Sequence, residues 1–120
     1  MLVQRWQEIE EYDLGSILGK PELGIKVKKI TNRDTIGKFH KYNFDIEHYI
    51  LDSGKSHAIH NNQYAMITYI ISGIASFTSE DLITEAKKGD VVFTGNRELQ
   101  RINNISNEPL EILCCIDHKN

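Results

Sequence analysis

The sequence predicts an all-β domain, because short strand-like segments recur at even spacing along the chain and turn-forming residues separate them. Each segment either alternates apolar and polar residues or forms a short run rich in β-branched and aromatic side chains. The predicted strands cover residues 25–30, 42–51, 64–71, 74–78, 81–85, 91–94, 99–103 and 110–116. Strands of this number and spacing are typical of a β-sandwich or a closed barrel. The 120-residue chain, 40% hydrophobic, has room for one such core.

The region before the first of these strands has a different character. Residues 1–24 are expected to form an N-terminal arm and a loop, and residues 25–120 the barrel. The polar stretch 7–13 carries only a weak helical signal, and Gly19-Lys20-Pro21 indicates a turn ahead of the barrel. Within the barrel, Gly73 interrupts an apolar run and separates two strands.

Composition excludes several classes of function. The net charge is −3, and the densest basic patch, residues 26–29, is too short to form a nucleic-acid-binding surface. No run approaches the roughly 20 apolar residues of a membrane span, and the N-terminus does not resemble a signal peptide.

Cys114 and Cys115 are adjacent, so on a strand they point to opposite faces and are not expected to bond to each other. Free thiols and the lack of an export signal predict a cytoplasmic protein.

The segment from Gly54 to Gly73 resembles the first conserved motif of the cupin family. That motif reads Gly, five residues, His-x-His, three or four residues, Glu, six residues, Gly. Here Gly54 precedes His60 by six residues, Met66 follows Asn62 by four, and Gly73 follows Met66 by seven. The spacing therefore matches, with Asn62 and Met66 replacing a histidine and the glutamate. The two glycines are expected to serve as turn residues that need backbone freedom.

A second stretch, from Gly89 to Asn104, is similar to the second cupin motif, which reads Gly, five residues, Pro-x-Gly, two residues, His, three residues, Asn. Gly95 stands in place of the proline, Arg97 of the second glycine and Gln100 of the histidine. The resemblance is to small single-domain bacterial cupins and covers about residues 25–116. It implies a double-stranded β-helix, or jelly-roll, barrel.

The resemblance also implies where a metal would lie. The four family ligand positions correspond to His60, Asn62, Met66 and Gln100, and only His60 is a standard ligand for a divalent transition metal. Two neutral amides and a thioether are weak donors for such ions, so no metal cofactor is expected. The alternative is a displaced site for a divalent transition metal. It would use His57, His60, Glu47 and Cys114, provided that Glu47 and Cys114 face the barrel interior as strands do in similar cupins.

The predicted site is a pocket with polar side chains on its floor in an otherwise apolar barrel mouth. Its expected ligand-binding residues are His57, His60, Asn62, Tyr64, Gln100, Glu47 and Tyr49. This composition suits a small polar ligand such as a sugar or an organic acid, bound by a non-catalytic sensor or binding module. The alternative is a cupin enzyme of isomerase, lyase or dioxygenase type, which uses the displaced metal or His60 as catalytic acid or base.

Several of these residues have simpler structural interpretations. Met66 and Cys114 are expected to pack in the core if they bind nothing, and His60 could be a hydrogen-bonded interior histidine. His40, His48 and His118 are expected at the surface or in an interface, because nothing in their spacing indicates ligation.

In similar small cupins an N-terminal arm pairs with the sheet of a partner subunit, so the resemblance implies a homodimer. Such an arm would protect a sheet edge. The alternative is that Trp6 covers the flank of its own barrel. The expected partners are thus a small-molecule ligand and a second copy of the chain, with no nucleic acid and no membrane.

Overall fold

The computed structural model describes residues 3–31, 43–59 and 63–118, and these residues form two antiparallel β-sheets. The elements in chain order are a 3-10 turn at Trp6–Glu8, β1 at Glu11–Asp13, α1 at Leu14–Leu18, β2 at Ile25–Lys29, β3 at Phe44–Leu51, β4 at Ser56–Ala58, β5 at Ala65–Ser72, β6 at Ile74–Thr78, β7 at Ile83–Lys87, β8 at Val91–Thr94, β9 at Arg101–Asn104 and β10 at Leu110–Asp117. One sheet has the order β1-β2-β3-β10-β5-β8 and the other β4-β9-β6-β7. The all-β prediction is confirmed.

Within the second half of the chain, β7 and β9 each begin two residues later than the sequence predicts. Residues 81 and 82 belong instead to a tight turn in which the Ser79 amide donates to the Leu82 carbonyl at 2.8 Å, so β7 begins at Ile83. Before β9, Gln100 bonds through its backbone to two other segments: its amide donates to Thr78 and its carbonyl accepts from Ile59. Because these bonds do not follow the regular pairing of a strand, β9 begins only at Arg101.

The core lies between the two sheets, because buried residues of both belong to one apolar cluster. Within the larger sheet, β10 pairs with β3 in a register that places Cys114 opposite Glu47 and Ile112 opposite Tyr49. Ile112 and Cys114 are buried, and Tyr49 packs against the core cluster. The expectation that Glu47, Tyr49 and Cys114 share an interior-facing side of their strands is therefore confirmed.

Two of the turns depend on glycine. Gly73 has a φ of 89°, and a Cβ atom there would lie 2.9 Å from the Pro109 carbonyl oxygen and 3.0 Å from the Leu110 Cα. Gly54 has a φ of 73° but faces open space. The sequence prediction that both positions need glycine's backbone freedom is confirmed, and at Gly73 close packing adds a second reason.

The N-terminal arm folds back onto its own sheet. β1 pairs with β2, with Tyr12 opposite Val27, and the Trp6 ring meets the ring of His48 edge-on at 4.7 Å. The Lys28 ammonium lies 4.1 Å from the Trp6 ring centroid and donates to the Trp6 carbonyl at 3.0 Å. The alternative that Trp6 covers the flank of its own barrel is thus the arrangement observed. The weak helical signal at 7–13 corresponds to the 3-10 turn and β1, and α1 begins only after them.

His48 is the clearest correction in this region. Its spacing in the sequence predicted a surface or interface position, but it is 2% exposed. Its Nε2 lies 3.2 Å from Glu111 Oε2, and the arm covers the face of β3 on which it lies. The prediction was wrong because the burial comes from a tertiary contact with Trp6.

His40, predicted to lie at the surface in the same way, falls outside the described residues. No helix in the described part of the chain is long and apolar enough to cross a bilayer.

Candidate ligand-binding cavity

A cavity of about 350 Å³ opens on the interior side of the larger sheet. Its lining combines apolar side chains with aromatic and imidazole rings. The described residues that line it are Tyr49, His57, Ala58, Ile59, Tyr64, Met66, Ile102, Cys114, Ile116 and His118. Both the volume and this mixture of many apolar groups with few polar groups are typical of small-molecule sites.

The innermost polar groups of the cavity are uncharged. Cys114 is buried, and its Sγ lies 3.8 Å from Thr68 Oγ1. Burial raises the pKa of the Cys114 thiol to about 12, so the thiol keeps its proton at neutral pH. Met66 is 7% exposed and contributes an apolar thioether to the same wall.

On β3, the side chains of Tyr49 and Glu47 are joined by a hydrogen bond. The Tyr49 hydroxyl donates a hydrogen bond to Glu47 Oε2. Burial, followed by the charge of Glu47, raises the pKa of Tyr49, so the phenol stays protonated. The Tyr49 ring also packs against the ring of His57, with centroids 5.1 Å apart and planes tilted by 33°. Glu47 therefore reaches the cavity only through Tyr49, whereas His57 and Tyr49 line it directly.

At the other end of β3, Asp45 holds His118. Nε2 of His118 lies 2.5 Å from Asp45 Oδ2, and the backbone amide of His118 donates to the Asn43 carbonyl at 2.7 Å. The ring of His118 meets the ring of Tyr64 edge-on at 4.5 Å. The Thr31 hydroxyl donates to the other oxygen of Asp45, Oδ1, at 3.1 Å. The His118 ring is thus contacted by two segments of the chain, through Asp45 and Tyr64, and Thr31 of a third segment holds Asp45.

His118 is a site residue that sequence reasoning missed, because its spacing indicated only a surface or interface position. The side chain is 33% exposed, but it lines the cavity. The sequence does contain a pattern that predicts this position. Every second residue from β10 to the residue that follows it lies on the same side of the strand: Ile112, Cys114, Ile116 and His118. The predicted strand ended at residue 116, two residues short of the histidine.

The structure brings together only part of the predicted ligand-binding set. His57, Tyr49 and Tyr64 line the cavity, and Glu47 bonds to Tyr49. Gln100 is exposed and does not line it, because its backbone bonds fix it in the segment just before β9. His60 and Asn62 lie outside the described residues.

The described residues at the cupin metal position do not fit a divalent ion. Met66 offers a neutral thioether and Gln100 lies away from the cavity, so neither replaces the carboxylate and histidine of the family pattern. Within residues 3–31, 43–59 and 63–118, no three His, Cys, Asp or Glu side chains are placed to hold a metal together. Of the displaced set, Glu47, His57 and Cys114 are described and form no such group, and His60 lies outside these ranges.

Comparison with known proteins supports the fold independently. No family model matches the chain. Protein MJ1618 of Methanocaldococcus jannaschii is 41% identical over 49 residues, which is 41% of this chain and 39% of that protein, so the match spans less than half of either.

Solved structures match over much more of the chain. An RmlC-like cupin from Shewanella frigidimarina has a TM-score of 0.74 at 12% identity and covers 98% of this chain and 90% of its own. The polyketide cyclase RemF from Streptomyces resistomycificus has a TM-score of 0.74 at 12% identity, with 99% and 80% covered. KdgF from Halomonas has a TM-score of 0.69 at 14% identity, with 97% and 93% covered. At such identities the likeness establishes the fold, which is that of a small cupin-type barrel.

Proposed function

We propose that this cupin-type barrel is a binding module for a small organic molecule, which it holds in the cavity without the usual cupin metal ligands. The single observation that carries the proposal is the 350 Å³ cavity, whose apolar wall is interrupted by two tyrosines and two imidazoles. Few, fixed polar groups in an apolar enclosure are what orients a small ligand.

The shape and chemistry of the lining limit the ligand. At ~30 Å³ for each water in the liquid, the cavity has room for on the order of ten waters or one molecule of similar bulk. Met66, Ile102 and Ile116 would contact the ligand's apolar part, while His57 and His118 would bind its polar groups. An organic acid satisfies this description, and a sugar is the other class that the sequence suggested.

Binding in this account does not require a metal. The Cys114 thiol lies beside the Thr68 hydroxyl, and Glu47 accepts the Tyr49 hydroxyl, so each group already has a partner within the protein. This supports the expectation that the ligand binds through hydrogen bonds and apolar contact.

A second candidate function is acid–base catalysis on the bound molecule, and the contact between Asp45 and His118 favours it. A carboxylate on one ring nitrogen fixes the orientation of the imidazole and leaves the other nitrogen to exchange protons. Incubating the best ligand with the protein and following it by NMR separates the two functions. A new product would indicate an enzyme, and an unchanged ligand a binding module.

The cytoplasmic location and the homodimer stay part of the proposal. Cys114 and Cys115 are both free thiols, which fits a reducing compartment. The homodimer rests on the resemblance alone, and light scattering on the purified chain tests it.

Thermal shift measurements with glucose, lactate, pyruvate and benzoate, each with and without a chelator, test the proposed function. We expect at least one compound to raise the unfolding temperature in both conditions. Ala58→Phe, which fills part of the cavity, should abolish that shift. Ile83→Phe is the matched control, because Ile83 is 70% exposed on the other sheet, and it should keep the shift. If no compound stabilises the protein, or if Ala58→Phe responds as the parent does, the proposal fails.

A further inference from the structure

We propose that the ligand is an organic anion whose carboxylate binds His118, with Asp45 as the positioning residue that orients the imidazole. This inference rests on the proposed ligand cavity and names the class of molecule that the cavity selects. His118 lines the cavity and its imidazole is held by the Asp45 carboxylate, and this pairing defines the polar end of the site.

One nitrogen of the His118 ring is left for a ligand. Because Nε2 lies 2.5 Å from Asp45 Oδ2, a hydrogen on Nε2 is used in that bond. Nδ1 is then the ring nitrogen through which His118 can bind a ligand. In the protonated ring Nδ1 is a donor, and a carboxylate is the acceptor that forms the strongest bond with it.

The charge of the lining also favours an anion as the ligand. The described lining contains no Asp, Glu, Lys or Arg side chain. Its thiol is neutral, because burial holds the pKa of Cys114 at about 12, and the phenol of Tyr49 keeps its proton as well. The lining groups that can carry a positive charge are the imidazoles of His57 and His118. The described lining side chains thus carry no negative charge of their own, and the Asp45 and Glu47 carboxylates behind them are bonded to His118 and Tyr49, which favours an anion over a cation.

The hydrogen-bonding groups of the site favour an acid over a sugar. A sugar presents many hydroxyl groups that need acceptors as well as donors, and side-chain carboxylates commonly supply them. Here the Glu47 and Asp45 carboxylates, which contact lining residues, already have partners. Glu47 accepts the Tyr49 hydroxyl, and Asp45 binds His118 through one oxygen and accepts the Thr31 hydroxyl with the other. A molecule with an apolar body and one carboxylate matches the groups still available to a ligand, which are the apolar wall and the imidazoles.

The role of Asp45 is positional. It lies on β3 opposite Ile116 of β10, and Thr31 fixes its second oxygen at 3.1 Å. The carboxylate is therefore held before a ligand arrives, and it holds the His118 ring against rotation. Asp45→Asn keeps the size of the side chain but removes its charge, so the ring should lose both its orientation and its preference for an anionic ligand.

Calorimetric titration with benzoate and benzamide tests the inference, because the two probes share a ring and differ in charge. We expect the parent protein to bind benzoate about tenfold more tightly than benzamide. His118→Gln and Asp45→Asn should each remove most of this preference while benzamide affinity stays the same. His48→Gln is the matched control: His48 also contacts a carboxylate through Nε2, but on the opposite face of β3, so this variant should keep the preference.

The outcomes are distinguishable. If both probes bind equally to the parent, or if His118→Gln keeps the preference for benzoate, the inference is overturned while the ligand cavity stands. If neither probe binds the parent while glucose, the uncharged compound of the thermal shift panel, does, the anion-binding inference is again overturned. If lactate or pyruvate binds instead, the inference stands when His118→Gln weakens that binding and is overturned when it does not. If no probe and no panel compound binds, the proposed function fails with it.

Discussion

Asp45 and His118 join the ends of β3 and β10 through a 2.5 Å contact between a carboxylate oxygen and a ring nitrogen. On the opposite face of the same two strands, His48 of β3 contacts Glu111 of β10 at 3.2 Å. The strand pair therefore carries a histidine–carboxylate contact on each face. The N-terminal arm covers the outer one and the cavity exposes the inner one, so the first supports the fold and the second is available to a ligand.

Removing the Trp6 ring should destabilise the outer contact. In Trp6→Ala, His48 loses its edge-on aromatic neighbour, and Lys28 loses the ring beside its ammonium group. We expect the free energy of unfolding to fall by about 1–2 kcal/mol in urea denaturation. Ile17→Ala, at a residue of α1 that is 64% exposed, should change it by less than ~0.5 kcal/mol. Equal midpoints for Trp6→Ala and the parent would mean that the arm does not pack as described.

The two glycine turns allow backbone strain to be separated from a steric clash. Gly73→Ala adds a Cβ atom 2.9 Å from a carbonyl oxygen of the Pro109 backbone, whereas Gly54→Ala adds one in open space. Both have positive φ, so both should lose about 1 kcal/mol from strain. Gly73→Ala should lose on the order of 1–3 kcal/mol more. Denaturation midpoints that fall equally in both variants would contradict the close approach at Gly73.

The buried Cys114 thiol should make the protein sensitive to alkali. Its pKa is raised from 9.0 to about 12 in the folded state, so the unfolded chain loses the proton first as the pH rises. The stabilisation is present in full below pH 9 and is lost between about pH 9 and 12, at up to ~1.4 kcal/mol per pH unit. Tyr49 contributes in the same direction.

Urea denaturation at a series of alkaline pH values tests this point. Cys114→Ser keeps a small polar side chain that does not titrate in this range, and it should flatten the loss of stability above pH 9. Cys115→Ser is the control, since Cys115 is only half-buried and should account for less of the slope. If Cys114→Ser loses stability with pH as steeply as the parent, the thiol is not buried in the folded protein.

Elemental analysis of protein purified without an affinity tag or chelator addresses the metal. We expect far less than one transition-metal ion per chain, because Met66 and Gln100 cannot supply the usual donors. A near-stoichiometric ion that disappears in both His57→Ala and His60→Ala would contradict this and would support the displaced site.

Local sequence patterns predict the faces of the strands well. Alternation along β3 and β10, together with the cupin resemblance, predicts that Tyr49, Glu47 and Cys114 lie on interior-facing sides, because a period of two determines which residues share a face. The spacing within the cupin-like motif predicts the turns at Gly54 and Gly73, because both glycines belong to one short segment of the chain. These features depend on residues that are close together in the chain.

Features that depend on distant contacts could not be predicted in this way. The partner of Asp45 is His118, 73 residues away, and this pair forms only when β3 and β10 align. His48 is buried because the arm returns to β3, and Gln100 lies outside the cavity because its backbone bonds to two other segments. In each case the burial or exposure is set by tertiary packing.

A methyl NMR titration with benzoate tests most directly whether the cavity binds an organic anion. We expect saturable shifts in the methyl signals of Met66, Ile102 and Ile116, which line the cavity, with Ile83 on the outer surface unchanged. Signals that do not move at any benzoate concentration, or shifts centred on Ile83, would contradict it.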